Sequence, residues 1–188
     1  GLDTGTKAAD TWYYCYVIHD PLTGASDALF TATYGTPTMP AGFTKKAYRG
    51  AVLTDSASNI LVGTYDYRPD GSYRFIFDLE ITNFDSTTPP LTSTPVNISA
   101  PVNTDAILNI TLLDNDGTSA RIIFREEGQT DIIPTKENST VIAPTAAYGK
   151  VPDYEINVRN NQRIFIRSID ASVAVFTINS RGFIDNNF

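Results

Sequence analysis

Thr11-Trp12-Tyr13-Tyr14-Cys15-Tyr16-Val17-Ile18 is an aromatic and β-branched run, and it follows a turn-forming lead, Gly1-Leu2-Asp3-Thr4-Gly5. Aromatic and β-branched side chains favour an extended backbone, so the run predicts a β-strand. Its apolar residues fall on both parities, which predicts a strand that is largely buried on both faces. The single tryptophan and the single cysteine of the chain, Trp12 and Cys15, are therefore expected in the core or an interface.

The remainder of the chain shows the same β-type signal in short segments separated by turns. The clearest turn is Arg68-Pro69-Asp70-Gly71, where proline and Asp-Gly suit the positions of a β-turn. No segment keeps an apolar period of 3.6 residues over two turns, so long helices are not expected. About ten strands at this spacing predict an all-β fold, an antiparallel β-sandwich with long loops, of which the jelly roll is one form.

Consecutive segments are expected to pair as hairpins. The chain is also expected to cross the surface between residues 83 and 95, where a domain linker is the alternative, and to form long loops between residues 126 and 150. The expected hairpins join residues 11–18 with 28–34, 47–53 with 60–67, 106–113 with 120–125, and 154–158 with 164–169.

Composition limits the classes of function. Hydrophobic residues make up 41% and aromatic residues 11% of 188 residues, enough for a folded core in one large β domain or two small ones. Fourteen Lys and Arg against 21 Asp and Glu give a net charge of -7 without a basic block, which disfavours nucleic acid as a partner. No run approaches the length of about 18 apolar residues that a membrane helix needs, so no membrane insertion is expected.

Candidate catalytic and metal-binding patterns are weak. His19-Asp20 lies beside Pro21 in a turn and lacks a Gly-x-Ser-x-Gly elbow, which favours turn residues over a catalytic pair. Asp114 and Asp116 begin like a calcium loop, but Arg125 stands where the bidentate glutamate would be, which favours a turn. The sequence predicts no enzyme, no cofactor and no metal, with Asp114 and Asp116 as the only weak metal candidates. Paired acids that a glycosidase could use are Glu126-Glu127 and Asp78-x-Glu80.

Tyrosines are the more informative candidates for binding. Tyrosine on a loop or an exposed sheet face suits stacking on sugars and packing in protein interfaces, although packing in the core and at strand edges is an equal alternative. Tyr148, Tyr67 and Tyr34 are the predicted ligand-binding residues, and Tyr148, beside Gly149, is the least suited to a core. The wider set of surface candidates adds Tyr48, Tyr65, Tyr73 and Tyr154.

Several blocks of the sequence resemble a module of tailed-bacteriophage virion and tail-fibre proteins. The first block starts with Gly1-Leu2-Asp3-Thr4-Gly5 and runs through the aromatic strand to Asp20-Pro21-Leu22-Thr23-Gly24-Ala25. The last and shortest block is Gly182-Phe183-Ile184-Asp185. Since the blocks span both ends, the resemblance favours one domain over residues 1–188, which could be the C-terminal part of a longer fibre chain. The blocks between them are residues 37–46, residues 48–55, and Asn59-Ile60.

The resemblance implies a non-enzymatic component of the phage particle, a tail fibre or appendage on the outer surface of the virion with a receptor-binding role. It implies a homotrimer with other virion proteins and a host surface glycan as partners. The blocks are expected to build the sandwich and its interface, while residues 85–95 and 126–150 supply contacts to the host. The alternatives are a capsid decoration or head-fibre protein and a stand-alone carbohydrate-binding module.

Overall fold

A computed structural model describes residues 1–114, 119–143, 147–159, 161–170 and 172–187. Within these residues the chain is all-β, as predicted, and it has no helix that is long and apolar enough to cross a membrane. The strands of the described residues are β1 (Trp12–His19), β2 (Ser26–Thr31), β3 (Lys45–Leu53), β4 (Gly63–Tyr67), β5 (Tyr73–Ser86), β6 (Thr94–Asn97), β7 (Thr104–Leu113), β8 (Ala120–Glu126), β9 (Val141–Ala143), β10 (Tyr148–Val158), β11 (Arg163–Ser168) and β12 (Val175–Asp185).

The strands form three antiparallel sheets. The three-stranded sheet has the order β2-β1-β3, the five-stranded sheet β10-β7-β12-β5-β4, and the four-stranded sheet β6-β11-β8-β9. The chain divides into two compact units. The first unit comprises Gly1–Gly63, Tyr67–Tyr73 and Asp185–Phe188, and the second comprises Thr64–Asp66 and Arg74–Ile184. The single-domain interpretation and the jelly-roll order of strands stay predictions.

The first unit is organised around β1. This strand pairs with β2 and with β3, and the β1–β2 hairpin confirms the predicted pairing. Burial of β1 alternates from Tyr14 to Ile18, so that Val17 is exposed and the strand is buried on one face there, not on both. Trp12, at the first position of β1, is half-buried, and Cys15 is half-buried as well.

A buried carboxylate, Asp185, lies at the centre of the first unit. Its Oδ2 accepts the hydroxyl of Tyr48 at 2.6 Å and that of Tyr73 at 3.2 Å. Burial of the phenol and the nearby Asp185 carboxylate raise the pKa of Tyr48. Gly50 has a positive φ of 119°, and a Cβ there would lie 2.8 Å from the Tyr73 hydroxyl. This position of β3 therefore requires glycine.

The second unit has the layered core of a β-sandwich. Phe124 of the four-stranded sheet contacts Phe176 and Tyr154 of the five-stranded sheet, with ring centroids 6.3 and 5.8 Å apart. The two sheets therefore face each other, with the apolar residues of each inner face filling the space between them. Fully buried side chains of this core are Leu108, Ile110, Leu112, Ile122, Ile164, Ile166 and Ile178.

Two of the predicted hairpins are wrong, and a third forms only at its turn. β7 and β8 belong to different sheets, since β7 pairs with β10 and β12 whereas β8 pairs with β9 and β11. β10 and β11 are likewise in different sheets. β3 pairs with β1 and not with β4, although the predicted turn between them is present, with an antiparallel bridge from Thr54 to Ile60. Apolar alternation shows which face a strand buries but not whether its successor lies beside it or across the core, and this is why these pairings were missed.

Two predicted loops contain strands. β5 continues through Ser86 into the polar segment that was expected to begin a crossover. The stretch after residue 126 contains β9 and the first residues of β10, so Tyr148 lies in a strand and not in a loop. The turn from Arg68 to Gly71 is confirmed, with the Arg68 amide donating to Ser72 at 2.9 Å. Pairing with neighbouring strands extends β5 and β10 into residues of low β-propensity, such as Asn83 and Asp85 in β5 and Pro152 in β10.

Candidate binding surface

One face of the four-stranded sheet carries arginines from two neighbouring strands. Residues four apart on a strand point to the same face, which places Arg121 with Arg125 on β8 and Arg163 with Arg167 on β11. In the register of the two strands Phe165 lies opposite Arg125, and Arg167 lies opposite Ile123. These four arginines therefore share one face, which is called the arginine face below.

Arg125 is buried, with only 5% of its side chain exposed, and its hydrogen bonds hold two loops against the arginine face. Its guanidinium donates to Asp131 Oδ1 at 2.9 Å and to the Gln129 carbonyl at 2.8 Å, and it also donates to the Ser93 hydroxyl. Asp131 and Gln129 belong to the loop after β8, whereas Ser93 belongs to the loop after β5. These three bonds offset part of the cost of burying the guanidinium, whose Nε has no hydrogen-bond partner among the described residues.

Arg167 also donates hydrogen bonds to both of these loops. Its Nη1 donates to Asp131 Oδ2 at 2.8 Å, and its Nε donates to the Leu91 carbonyl at 3.1 Å. The neighbouring Ser168 amide donates to the Pro90 carbonyl at 2.7 Å. Asp131 thus bridges two arginines, one with each carboxylate oxygen.

These two loops expose apolar side chains. Leu91 is 48% exposed in the loop after β5, and Ile132 and Ile133 are 41% and 60% exposed in the loop after β8. Exposed apolar side chains on loops whose backbone is held by charge-assisted hydrogen bonds are suited to binding, because little conformational entropy is lost on contact. Both loops fall inside the segments that were predicted to supply host contacts. Arg125 and Arg167 bring them together, because each donates to Asp131 in the loop after β8 and also to Ser93 or Leu91 in the loop after β5.

A third residue of the arginine face, Arg163, holds the start of the loop after β8. Arg163 donates to Glu127 Oε1 at 2.6 Å, and Asn161 donates to both oxygens of the same carboxylate. The hydrogen bond from Arg163, followed by that from Asn161, lowers the pKa of Glu127. Glu126 forms an ion pair with Arg159 at 3.3 Å. Both acids of the predicted Glu126-Glu127 pair are thus engaged with cations.

The predicted tyrosines lie in different places. Tyr148 is 60% exposed at the first position of β10 in the second unit, where the Lys150 ammonium lies 5.6 Å from its ring. Tyr67 is 74% exposed in the first unit. Tyr34, also in the first unit, is half-buried and contacts Tyr14 and Tyr48 with ring centroids 5.2 and 5.7 Å apart. The exposed positions suit binding, whereas Tyr34 packs with other rings.

The candidate catalytic residues lie in a turn, and only one of the two metal candidates lies among the described residues. Asp20 accepts the Thr23 hydroxyl at 2.7 Å and the Leu22 amide at 2.9 Å, and these bonds lower its pKa. His19 is within hydrogen-bond distance of the Ser26 hydroxyl, at 3.0 Å. Asp114 is buried at the end of β7, and Asp116 lies outside the described residues. In the part of the chain that the structure describes, no three His, Cys, Asp or Glu side chains are grouped to hold a metal.

No family model, curated protein or solved structure matches this chain. The arginine face itself was missed at the level of sequence, although a signal for it exists. Arg121 and Arg125 lie at a spacing of four within a predicted strand, and Arg163 and Arg167 have the same spacing, although Arg163 comes just before the predicted strand at 164–169. A search for like-charged residues on one strand face would have found both pairs, and only the register of β8 with β11 shows that they are adjacent.

Proposed function

We propose that this chain is a non-enzymatic component of a tailed-bacteriophage particle, a tail fibre or similar appendage on the virion surface, which binds the host through the loops after β5 and β8. The resemblance of its sequence blocks to virion and tail-fibre proteins supports the phage assignment. Two arginines of the arginine face, Arg125 and Arg167, hold the two exposed loops in place. This is the observation that supports the binding role.

The positions of the resembling blocks support a division of roles between the two units. Almost all of these blocks fall in the first unit; the exception is the part of the last block that precedes Asp185. The blocks also bond to one another, since the Thr38 amide donates to Asp3 at 3.0 Å and Tyr48 donates to Asp185. We assign assembly into the particle to the first unit and host contact to the second.

Two alternatives keep the same fold but change the role. A capsid decoration or head-fibre protein would share the first unit and its assembly, and would differ only in its position on the particle. A stand-alone carbohydrate-binding module is favoured by the aromatic tyrosines of the second unit. An enzyme would release reducing ends from host polysaccharide, and we expect no such release from the purified chain.

Immunogold labelling of intact particles tests the assignment to the virion. Antibodies raised against the purified chain are applied to particles of the phage whose genome encodes it, with antibodies pre-absorbed on the same chain as the control. We expect gold on a tail or head appendage that is absent in the control. Particles without specific label would overturn the proposal, and label on the head would favour the head-fibre alternative.

Competition for host adsorption tests the role of the two loops. The purified chain should slow adsorption of the phage, and the double substitution Ile132→Asp with Ile133→Asp should remove this competition. Leu22→Asp is the matched control, because Leu22 is 92% exposed on a turn of the first unit. Tyr148→Ala is tested in parallel for the predicted tyrosine contact. Undiminished competition by the double variant would contradict host contact through these loops.

A further inference from the structure

A cleft beside the loop after β8 is lined by the kinds of side chain that bind sugars. It has a volume of about 290 Å³, close to the lower end of the range for small-molecule sites. It lies along β10, the edge strand of the five-stranded sheet, and extends to the beginning of the loop after β8. Its lining combines aromatic rings, side-chain amides and carboxylates, from Asp105, Phe124, Glu126, Gln129, Tyr154, Glu155, Ile156 and Asn157.

The aromatic part of the cleft is held in place. The Tyr154 ring is half-buried and packs edge-on against Phe124 at an interplanar angle of 77°. Its hydroxyl is hydrogen-bonded to Thr140, whose own Oγ1 accepts the Phe124 amide at 2.9 Å. An aromatic ring with a fixed orientation at the wall of a cleft can pack against the C–H face of a sugar ring without losing side-chain freedom.

The polar part of the cleft places donors beside acceptors. Asn157 Nδ2 donates to Asp105 Oδ1 at 2.9 Å, which sets an amide and a carboxylate side by side. The Gln129 side-chain oxygen accepts the Glu126 amide at 3.1 Å, so its NH₂ group is left as a donor. A sugar hydroxyl donates and accepts hydrogen bonds at once, and neighbouring amide and carboxylate groups satisfy both needs.

The charge of the cleft selects among sugars. Asp105, Glu126 and Glu155 contribute three carboxylates to the lining, and the described residues that line the cleft include no Lys or Arg. The excess of negative charge repels a sialic or uronic acid. We therefore propose that the cleft binds a unit of a neutral saccharide, which rests on the proposed host-binding function and specifies its ligand.

Ligand-observed NMR with free sugars tests this inference. Saturation-transfer difference spectra are recorded for glucose, galactose, mannose and N-acetylglucosamine, and for glucuronic and N-acetylneuraminic acid as acidic probes. We expect transfer to at least one neutral sugar and none to the acids. Transfer only to the acids, or to no sugar, would overturn the inference.

Substitutions then locate the binding. Gln129→Ala, at an exposed position, should weaken binding of the responding sugar about tenfold or more, the scale of one lost hydrogen bond to a ligand. Tyr154→Ala should abolish it, with near-ultraviolet circular dichroism to verify that the core is intact. Asn97→Ala, an exposed amide on β6, is the control and should bind as the wild type does. Wild-type affinity in Gln129→Ala and in a folded Tyr154→Ala would place the sugar elsewhere.

The outcomes separate this inference from the proposed function. Specific gold label on the particle without sugar binding would remove the cleft assignment and leave the phage assignment standing. Sugar binding that depends on the cleft, from a chain that does not label particles, would instead favour a stand-alone carbohydrate-binding module.

Discussion

At the scale of single residues, the second unit depends on one carboxylate that serves two arginines. Asp131 lies on a loop, yet its two oxygens hold buried Arg125 and partly buried Arg167. A buried guanidinium that loses a charged partner keeps its desolvation cost without the compensating bond. The energetic importance of Asp131 therefore comes from the burial of its partner and not from its own exposure.

We expect Asp131→Asn to lower the free energy of unfolding by about 1–3 kcal/mol, because a buried charge-assisted hydrogen bond is lost or weakened. Asp153→Asn is the matched control. The Asp153 carboxylate also pairs with two arginines, Arg181 and Arg74, but both are more exposed than Arg125, so the substitution should cost less than about 1 kcal/mol. Urea denaturation of the two variants and the wild type measures both values. Equal effects of the two substitutions would contradict the special role of Arg125.

A second residue-scale prediction concerns alkaline pH. Burial raises the pKa of Cys15 from 9.0 to about 12, so the unfolded state loses its thiol proton at a lower pH than the folded state. Stability is therefore fully present below about pH 9 and declines as pH rises toward about 12. Tyr48, with a pKa raised by burial, adds to the decline at higher pH.

Cys15→Ser removes the titrating thiol and should make this decline shallower. Urea midpoints measured between about pH 8 and about pH 11 give the slope for each protein. The comparison uses slopes, so a constant loss of stability from the substitution does not affect it. Identical slopes in the variant and the wild type would show that Cys15 titrates alike in the folded and unfolded states.

At the scale of elements, β12 shows why particular residues are required in the short block Gly182-Phe183-Ile184-Asp185. β12 has an irregularity between Ser180 and Gly182 in its pairing with β7. A Cβ at Gly182 would lie 2.0 Å from the Phe75 carbonyl oxygen of β5. The glycine of Gly182-Phe183-Ile184-Asp185 is therefore required by close approach of two strands, and Asp185 by its bonds to Tyr48 and Tyr73.

Gly182→Ala should destabilise the protein by about 1–3 kcal/mol or more, because the crowded atom is backbone and cannot rotate away. Gly24→Ala tests a different cost, since Gly24 has a φ of 76° but no neighbouring atom within 4 Å. It should lose about 1 kcal/mol from backbone strain alone. Urea denaturation compares the two. A smaller effect at Gly182 than at Gly24 would mean that β12 and β5 separate easily.

At the scale of the whole molecule, the two units combine different kinds of surface. The first unit contains nearly all the blocks that resemble virion proteins, and it exposes the apolar side chains of Ile60 and Val62. The second unit holds the arginine face and the acidic cleft. We expect the homotrimer that the resemblance implies to bury apolar surface of the first unit.

We expect the purified chain to have a mass in solution of about three times the 20.5 kDa of one chain. Val62→Asp should shift this toward one chain, because a charge in an apolar interface is costly to bury. Leu22→Asp, in the same unit, should leave the mass unchanged. Multi-angle light scattering after size exclusion gives the mass, and a single-chain mass for the wild type would contradict the trimer.

The sequence by itself determined the fold class, the turns at residues 20–24 and 68–71, and the first hairpin. These features depend on local preferences, since alternation, proline and glycine act over a few neighbouring residues. Tyr148 and Tyr67 are exposed, as a binding role requires, whereas Tyr34 packs against two rings. Ligand binding by these tyrosines stays a prediction.

Only the tertiary structure decided which strands are neighbours and which charges meet. β7 and β8 are consecutive in the chain, but they lie in facing sheets. The alternation of apolar residues shows which face of each strand is buried, and it does not show which strand lies beside it. The sequence does not predict that Arg125, Asp131 and Arg167 are neighbours. The β8–β11 register places the two arginines side by side, and the path of the loop after β8 brings Asp131 to both. Long-range pairing depends on the whole chain, and this is why no single segment predicts the complete arginine face.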